Sequence, residues 1–478
     1  MHDLNPSARG APGAAAIAAL GGIVLLGNGL KAMISSSVLV SEPQFAAFLG
    51  IAVERVAVLL EAIVAGMVIA LAGYPLLLRR YSARAIGIVA CAFASAAFLA
   101  FALTERVHPD AATREFTVLV CFTLGAAALA CLAPSAQALV ALWPAADGRR
   151  TMTTLWTGAA PAGFLVAPQL VRILVPVLGL SGYFLAFSVL PFAMLLLLVA
   201  IGYALRDAED AAPQASPLPV TLLLAFLACI VAFEVWSTLG SVTGYLAPWT
   251  LASLVALAAA GAWLARRAAA LSSVETEAPA SFWLLGALFV LEIPTTGFFE
   301  AAFLFQRGES AAFVADRSTL SAAAQIAGTV VAGALIHRKA APEPVLLAAF
   351  AAVTVAGLAS FAAYPWIAMP AYFLWTPAIT GFGSGALTLV VCLAVVRDAQ
   401  RVLLLAALPS IVIMVGTEFG LEALQFVFAA AQAAGASADA AFAGVFGAQL
   451  LFGFAVAIPL VAARRRQSTP GTVVPSAR

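Results

Sequence analysis

The chain has 478 residues, of which 63% are apolar and only 10% are charged, with 24 basic residues against 23 acidic ones. Soluble proteins carry roughly 25% charged residues. A mean hydropathy of +1.04 with so little charge therefore excludes a string of water-soluble domains and leaves an integral membrane protein. The net charge of +1 gives no electrostatic case for binding nucleic acid, and the three scattered histidines (His2, His108, His337) have no metal-ligand spacing.

In chain order, runs long enough to cross the hydrocarbon (about 20 apolar residues) fall at 14–40, 51–78, 85–104, 116–142, 151–177, 182–205, 218–239, 246–265, 281–305, 312–336, 344–363, 366–396, 402–430 and 441–463. The expected fold is all-α with fourteen transmembrane helices, because lipid leaves backbone polar groups no partner outside their own segment. The period-2 alternation of an outer-membrane barrel is absent from the sequence. The five cysteines (Cys91, Cys121, Cys131, Cys229, Cys392) all sit inside these runs and read as small buried hydrophobes.

With the N-terminus inside, seventeen basic residues fall on inner segments and six on outer ends. This bias places both termini in the cytoplasm. Lysine occurs only as Lys31 and Lys339 in an Ala-rich chain, the usage of a GC-rich and hence bacterial genome, so the membrane expected is the bacterial inner membrane. Polar linkers at 206–217 and 266–280 flank the seventh and eighth runs. They divide the chain into a six-helix bundle (1–205), a linker region with an extra helical hairpin (206–280), a second six-helix bundle (281–463) and a basic cytoplasmic tail (464–478).

The two bundles repeat a loop pattern. Gly73 precedes Arg79, Arg80 and Arg84 after the second run, and Gly333 precedes His337, Arg338 and Lys339 after the tenth. Six plus six spans with a Gly-x-x-x-x-basic loop after the second span of each half resembles the major facilitator superfamily. The extra central hairpin is similar to its fourteen-span drug:proton antiporter branch. Further partial matches are Pro134 to Arg150 with Trp156-Thr-Gly, Ala167-Pro168, and Gly182 to Pro191. The sequence also departs from that branch: Leu77 and His337 stand where its loops carry Asp, Cys121 where its fourth span carries Arg, Val171-Arg172 where it carries Gly-Gly, and Lys31 near its first-span Asp. The resemblance implies two pseudo-twofold bundles around a midplane solute site, with the two basic loops as cytoplasmic gates.

Ionisable groups inside the bilayer cost at least about 2.5–3.5 kcal/mol each, so each needs a reason. Those read as lying within the membrane, away from the first few residues of a run, are Lys31, Glu61, Arg172, Glu234, Glu292, Glu300, Glu418 and Glu422. Arg172, Glu234 and Glu300 are placed near outer ends, where snorkelling accounts for them, whereas Glu61, Glu292 and Glu418 are deep. Outside the hairpin all fall on the first, second, fifth, ninth or thirteenth runs, and the superfamily's cavity-lining positions include these. A buried carboxylate whose affinity for protons shifts with burial and neighbouring charge is a natural coupling group. The coupling candidates are thus Glu292, which precedes a helix-breaking Pro294, together with Glu61, Glu418 and Glu422; the last two share a helix face at i, i+4. Solute or counter-ion candidates are Lys31, Arg172, Glu300 and Trp375. An ion pair or hydrogen bond between bundles, with no transport role, is an equally weighted reading of each Glu.

Helix-breaking or close-packing residues cluster in the twelfth run (Pro377, Gly381, Gly383, Gly385) and the fifth (Gly158, Pro161, Gly163, Pro168). No Walker loop is present. No nucleophile–base pair or metal set marks an intramembrane enzyme. The expected function is therefore secondary active transport of a small organic solute, driven by the proton gradient without a cofactor. The branch resemblance favours proton-coupled export of a hydrophobic, drug-like compound by a monomer. Proton-coupled uptake of an organic anion on Lys31 and Arg172 stands as the alternative, and a non-transporting sensor or scaffold as the reading from another class. Docking of a periplasmic adaptor on the outer loops is left open.

Overall fold

The computed structural model describes residues 13–51, 53–107, 110–143, 145–210, 219–272, 280–295, 298–363, 370–398 and 403–468. All regular structure among them is helical. In chain order the helices are α1 (Ala14–Val40), α2 (Glu42–Leu49), α3 (Val53–Leu78), α4 (Ala83–Val107), α5 (Ala111–Leu142), α6 (Ala146–Asp210), α7 (Val220–Thr243), α8 (Pro248–Ser272), α9 (Ala280–Glu292), α10 (Phe298–Gln306), α11 (Ala311–His337), α12 (Glu343–Ala362), α13 (Pro370–Asp398), α14 (Leu403–Ala433), α15 (Ala438–Ala455) and α16 (Ala457–Ser468). Among the described residues, eleven helical stretches are long and apolar enough to cross a bilayer. The chain is a multi-pass membrane protein.

The fourteen apolar runs do not map one to one onto these helices, and each difference has a local cause. The fifth and sixth runs are joined in the 65-residue α6, in which Gly179 alone leaves helical space at φ 70°, ψ 173°, a conformation open to a residue without Cβ. The ninth run ends as a helix at Glu292 and resumes at Phe298, because Pro294 offers no N–H to continue the ladder. The fourteenth is divided between α15 and α16, where Pro459 deprives the Ala455 carbonyl of its donor. The short α2 occupies a stretch expected to be a loop. It has Pro43 in its first turn and ends at Gly50 in the left-handed region (φ 69°), the helix start and stop signals that composition alone obscures.

Packing sorts the helices into two groups. Helix α1 packs on α5 and α6, and α4 on α5 and α6, while α3 packs on α5. In the second group α13 packs on α11 and α12, and α14 on α9 and α15. Aromatic clusters tie each group together: Phe45, Phe98, Phe101, Phe122 and Phe184 in the first, and Phe303, Phe428, Phe442 and Phe446 in the second. The groups meet where α6 contacts α11 and α13, and where α14 contacts α3 and α5. The hairpin helices α7 and α8 pack on each other, and α7 lies against α3. Large apolar side chains such as Val177, Trp249, Val255 and Leu451 are at least 70% exposed, as expected where lipid is the solvent.

The glycines of α13 are packing residues. A Cβ on Gly381 would meet the Ser321 carbonyl oxygen of α11 at 2.6 Å, Gly385 abuts Gln325 of the same helix, and Gly383 abuts Thr354 of α12. Without side chains here the three helices approach backbone to backbone, the mode by which membrane helices gain packing energy. Gly381→Val is expected to cost about 1–3 kcal/mol through overpacking, read as a lower unfolding temperature of the purified protein. Gly73→Ala is the control, since a Cβ there meets nothing within 4 Å, and it should be neutral or slightly stabilising.

Candidate functional site

The site begins at the break in the ninth run. Glu292 is the last residue of α9, so its carboxylate sits beside carbonyls that have lost their intrahelical partners, at the negative end of a helix dipole. Thr295 Oγ1 turns back to donate to the Leu291 and Glu292 carbonyls (3.1 and 3.2 Å). Gln449 Nε2 of α15 donates to the Pro294 carbonyl (3.1 Å). These bonds satisfy backbone groups that would otherwise be stranded at membrane depth. Helix α14 comes up close to the break: a Cβ on Gly416 would meet the Phe289 carbonyl oxygen at 2.9 Å, and one on Gly420 the Ile293 backbone at 2.6 Å. From the same helix Thr417 Oγ1 reaches Glu292 Oε2 at 3.4 Å.

Across the interface stands Lys31 of α1, 8% exposed and interacting electrostatically with Glu292. Its helix is held in place by Asn28, whose Nδ2 donates to the Trp156 carbonyl of α6 (2.8 Å), while Trp156 Nε1 donates to the Ala133 carbonyl of α5 (3.1 Å). Gly29 and Gly163 bring the α1 and α6 backbones together. Cys392 of α13 lies against Thr157 and Gln137 from the other group of helices. A cation carried by the first group thus acts electrostatically on a carboxylate carried by the second, on two elements locked into their own bundles. Such an arrangement can exchange a proton or an ionic solute, because adding either changes the attraction between the groups.

The second acidic position lies against the hairpin. Glu422, with Glu418 one turn before it on α14, is buried at 3% exposure. Its contacts run to the hairpin: the Tyr245 hydroxyl bonds Glu422 Oε2, and Glu234 of α7 is its electrostatic neighbour. The electrostatic neighbour of Lys31 is Glu292. Glu61 falls on α3, and its side chain lies outside the described residues. Glu234 is 5% exposed and fourteen residues into the 24-residue α7, so the snorkelling expected of it is corrected. The helix runs four residues beyond the apolar run and stops at Gly244, which moves Glu234 from the end to mid-helix.

Glu300 is corrected in the same way. It is buried at 6% exposure and pairs with Arg317 of α11 at 3.4 Å, with Gln449 beside it. It is a counter-ion to a protein cation. Arg172 is exposed on α6, and Trp375, 65% exposed, lies near the start of α13; the structure brings neither to the Lys31–Glu292 pair.

The basic loops converge unevenly. A Cβ on Gly333 of α11 would meet Thr154 Cγ2 of α6 at 3.2 Å, so this glycine lets the two groups touch at the basic end. His337 ends α11 and Arg338 caps it. Beyond them a cavity of about 290 Å³ separates Arg149, Arg150 and Thr153 from Lys339, Glu343 and Arg397. Of the first loop, Gly73 lies within α3, and Arg79 and Arg80 close its C-terminal turn. Arg84 lies over Gly202 of its own half. No group of three or more His, Cys, Asp or Glu placed to hold a metal occurs among the described residues.

No family model matches the sequence, and no curated protein sequence matches it. Solved structures do match. A bacterial homologue of the iron transporter ferroportin in an outward-facing state superposes with a TM-score of 0.62 at 13% identity, covering 94% of this chain and 100% of that one. The human organic anion transporter MFSD10 gives 0.60 at 14% identity over 92% and 99%. A proton:xylose symporter of the major facilitator superfamily gives 0.59 at 13% identity over 94% of each chain. The chain shares the fold of these solved structures, the major facilitator fold.

Proposed function

We propose that the chain is a secondary active transporter that moves a small organic solute by alternating access, coupled to protons through Glu292. The observation that supports this most directly is Lys31 of one bundle facing Glu292 at the broken helix of the other. Discontinuous helices at membrane depth are where transporters of this kind hold solutes and ions. The reading takes the helices as fourteen spans. Continuous helix over 65 residues would be about 98 Å long, some three bilayer cores, so α6 counts as two spans parted at Gly179. Pairs α9–α10 and α15–α16 count as one each, and α2 as none. Residues 1–205 and 281–463 are then the two bundles, joined by the 206–280 segment with its hairpin, and the basic end faces the cytoplasm. Gly333 against Thr154 brings the two bundles together at that end.

Export of a hydrophobic compound in exchange for protons is the preferred direction, resting on the hairpin and the buried acidic groups. An anionic solute is the second reading, because Lys31 is a buried cation and one structural neighbour is an organic anion transporter. The two separate in a bacterial host lacking its own pumps and expressing the chain. Export is expected to give resistance to members of a panel of hydrophobic toxins, lost when the proton gradient is collapsed. Accumulation of a labelled organic anion, with no resistance to anything, would reverse the direction. Neither effect, at verified membrane expression, would favour a non-transporting sensor.

A further inference from the structure

The hairpin between the bundles carries a carboxylate that the coupling scheme above does not use. Glu234 is buried, and its Oε1 has no hydrogen-bond partner among the described residues. An unbonded carboxylate oxygen away from water carries the full desolvation penalty unless a proton or other donor reaches it. Glu422 of α14, itself 3% exposed, is its electrostatic neighbour.

Tyr245, in the turn between α7 and α8, adds an independent observation. Its hydroxyl contacts both Glu422 Oε2 and Gln425 Oε1. A phenol has one proton to give, so one of the two contacts requires a proton from the other side: from a protonated Glu422, or from the Gln425 amide turned to present its nitrogen. The walls are apolar. Phe233 packs on Phe419 at 5.8 Å between centroids, and Trp236 on Tyr245 at 5.7 Å. Trp236 Nε1, two residues along the same helix, is also buried without a hydrogen-bond partner among the described residues.

Other charged groups on the packed elements are placed as follows. Helix α14 brings Glu418 one turn away, and α9 brings Glu292, engaged with Thr417 and Lys31. Helix α8 brings Arg266 and Arg267 near its far end, and α5 brings Arg114, bonded to the Phe48 carbonyl, and Glu115 near its start. Asp439 of α15 pairs with Arg307, and Arg397 near the end of α13 with Glu343. On α3, Glu54, Arg55 and Glu61 have side chains outside the described residues. Two carboxylates border these apolar walls, and a proton on one of them lowers the cost of burying both as ions.

We infer that Glu234 and Glu422, the latter bonded to Tyr245, form a second proton-binding site, built between the extra hairpin and α14 and distinct from the Lys31–Glu292 pair. The step is a protonation only: one carboxylate takes a proton from water to become a carboxylic acid, and returns it. The pair titrates as a unit, and the proton belongs to both residues. The site's use in coupling rests on the transporter reading, whereas its existence does not.

Infrared difference spectroscopy of the purified chain in lipid nanodiscs tests it without any solute. Between neutral and alkaline pH the wild type is expected to lose a carboxylic-acid C=O band, and the same band is expected to be missing from Glu234→Gln and from Glu422→Gln. Glu292→Gln should keep it. Tyr245→Phe should shift the band without removing it, since only a hydrogen bond to the acid is lost. Thermal unfolding checks that each variant is folded, and Glu→Gln is close to isosteric. An unchanged band in a folded Glu234→Gln variant would overturn the proposal, as would loss of the band from wild type on adding sodium at constant pH, which would make the site a sodium site. If no transport is ever found, the spectral result stands, so failure of this site and failure of the transport reading are told apart.

Discussion

Glu292→Gln is expected to reduce gradient-driven transport by at least a hundredfold while leaving membrane level and unfolding temperature within error of wild type. The substitution keeps the side chain's size and a partner for Thr417 Oγ1 but removes the exchangeable proton and the charge facing Lys31. Coupling requires an ionisable group whose proton occupancy changes with the conformational state, and Gln has none. Exchange of solute for solute across proteoliposomes with no pH gradient is expected to survive, because alternating access itself needs only that the loaded carrier reorient. Normal gradient-driven flux in the variant would remove Glu292 from the mechanism. Lys31→Met should fail for a related reason, by stranding Glu292 without its cation. Lys31→Met combined with Glu292→Gln should then be less damaged than the sum of the two, the coupling expected of residues that interact directly.

The architecture was largely legible because lipid allows so few solutions. Length and hydropathy located the helices, and Pro294 marked the break beside Glu292. Gly381, Gly383 and Gly385 announced close helix approach, which their contacts with α11 and α12 bear out. What misled was depth. Glu234 and Glu300 were placed at outer ends because the edge of an apolar run was taken as the edge of the helix. Helix α7 continues through Gly240-Ser-Val-Thr, since helical hydrogen bonding does not end where hydropathy falls. Glu300 starts a new helix after the break, where it meets Arg317. Nothing local in the sequence says that the Arg317 guanidinium lies over the Phe361 ring. Partners of intramembrane charges are tertiary facts. The hairpin's link to Glu422 through Tyr245 joins residues 177 positions apart, and it is invisible to any window-based reading.

The Glu300–Arg317 pair shows what such a partner does, and it carries the second large effect. Arg317→Met is expected to destabilise the protein by about 3–5 kcal/mol, because it leaves a buried carboxylate uncompensated. The pair is held at 3.4 Å with side-chain exposures of 3% for Arg317 and 8% for Glu300, and the guanidinium also lies 5.0 Å over the Phe361 ring. Replacing both members, as Glu300→Leu with Arg317→Met, is expected to recover most of the loss or all of it, since an apolar pair avoids the desolvation cost of two ions. Unfolding temperatures of the two single variants and the double, taken as a cycle, measure this. Function is expected not to recover with stability. Gln449 lies beside Glu300 and also donates to the Pro294 carbonyl, so the ion pair helps fix the residue that holds the break open two positions after Glu292. A double variant that is stable but couples poorly, with solute exchange intact, would assign the pair to positioning Glu292. One that is stable and couples normally would confine it to folding.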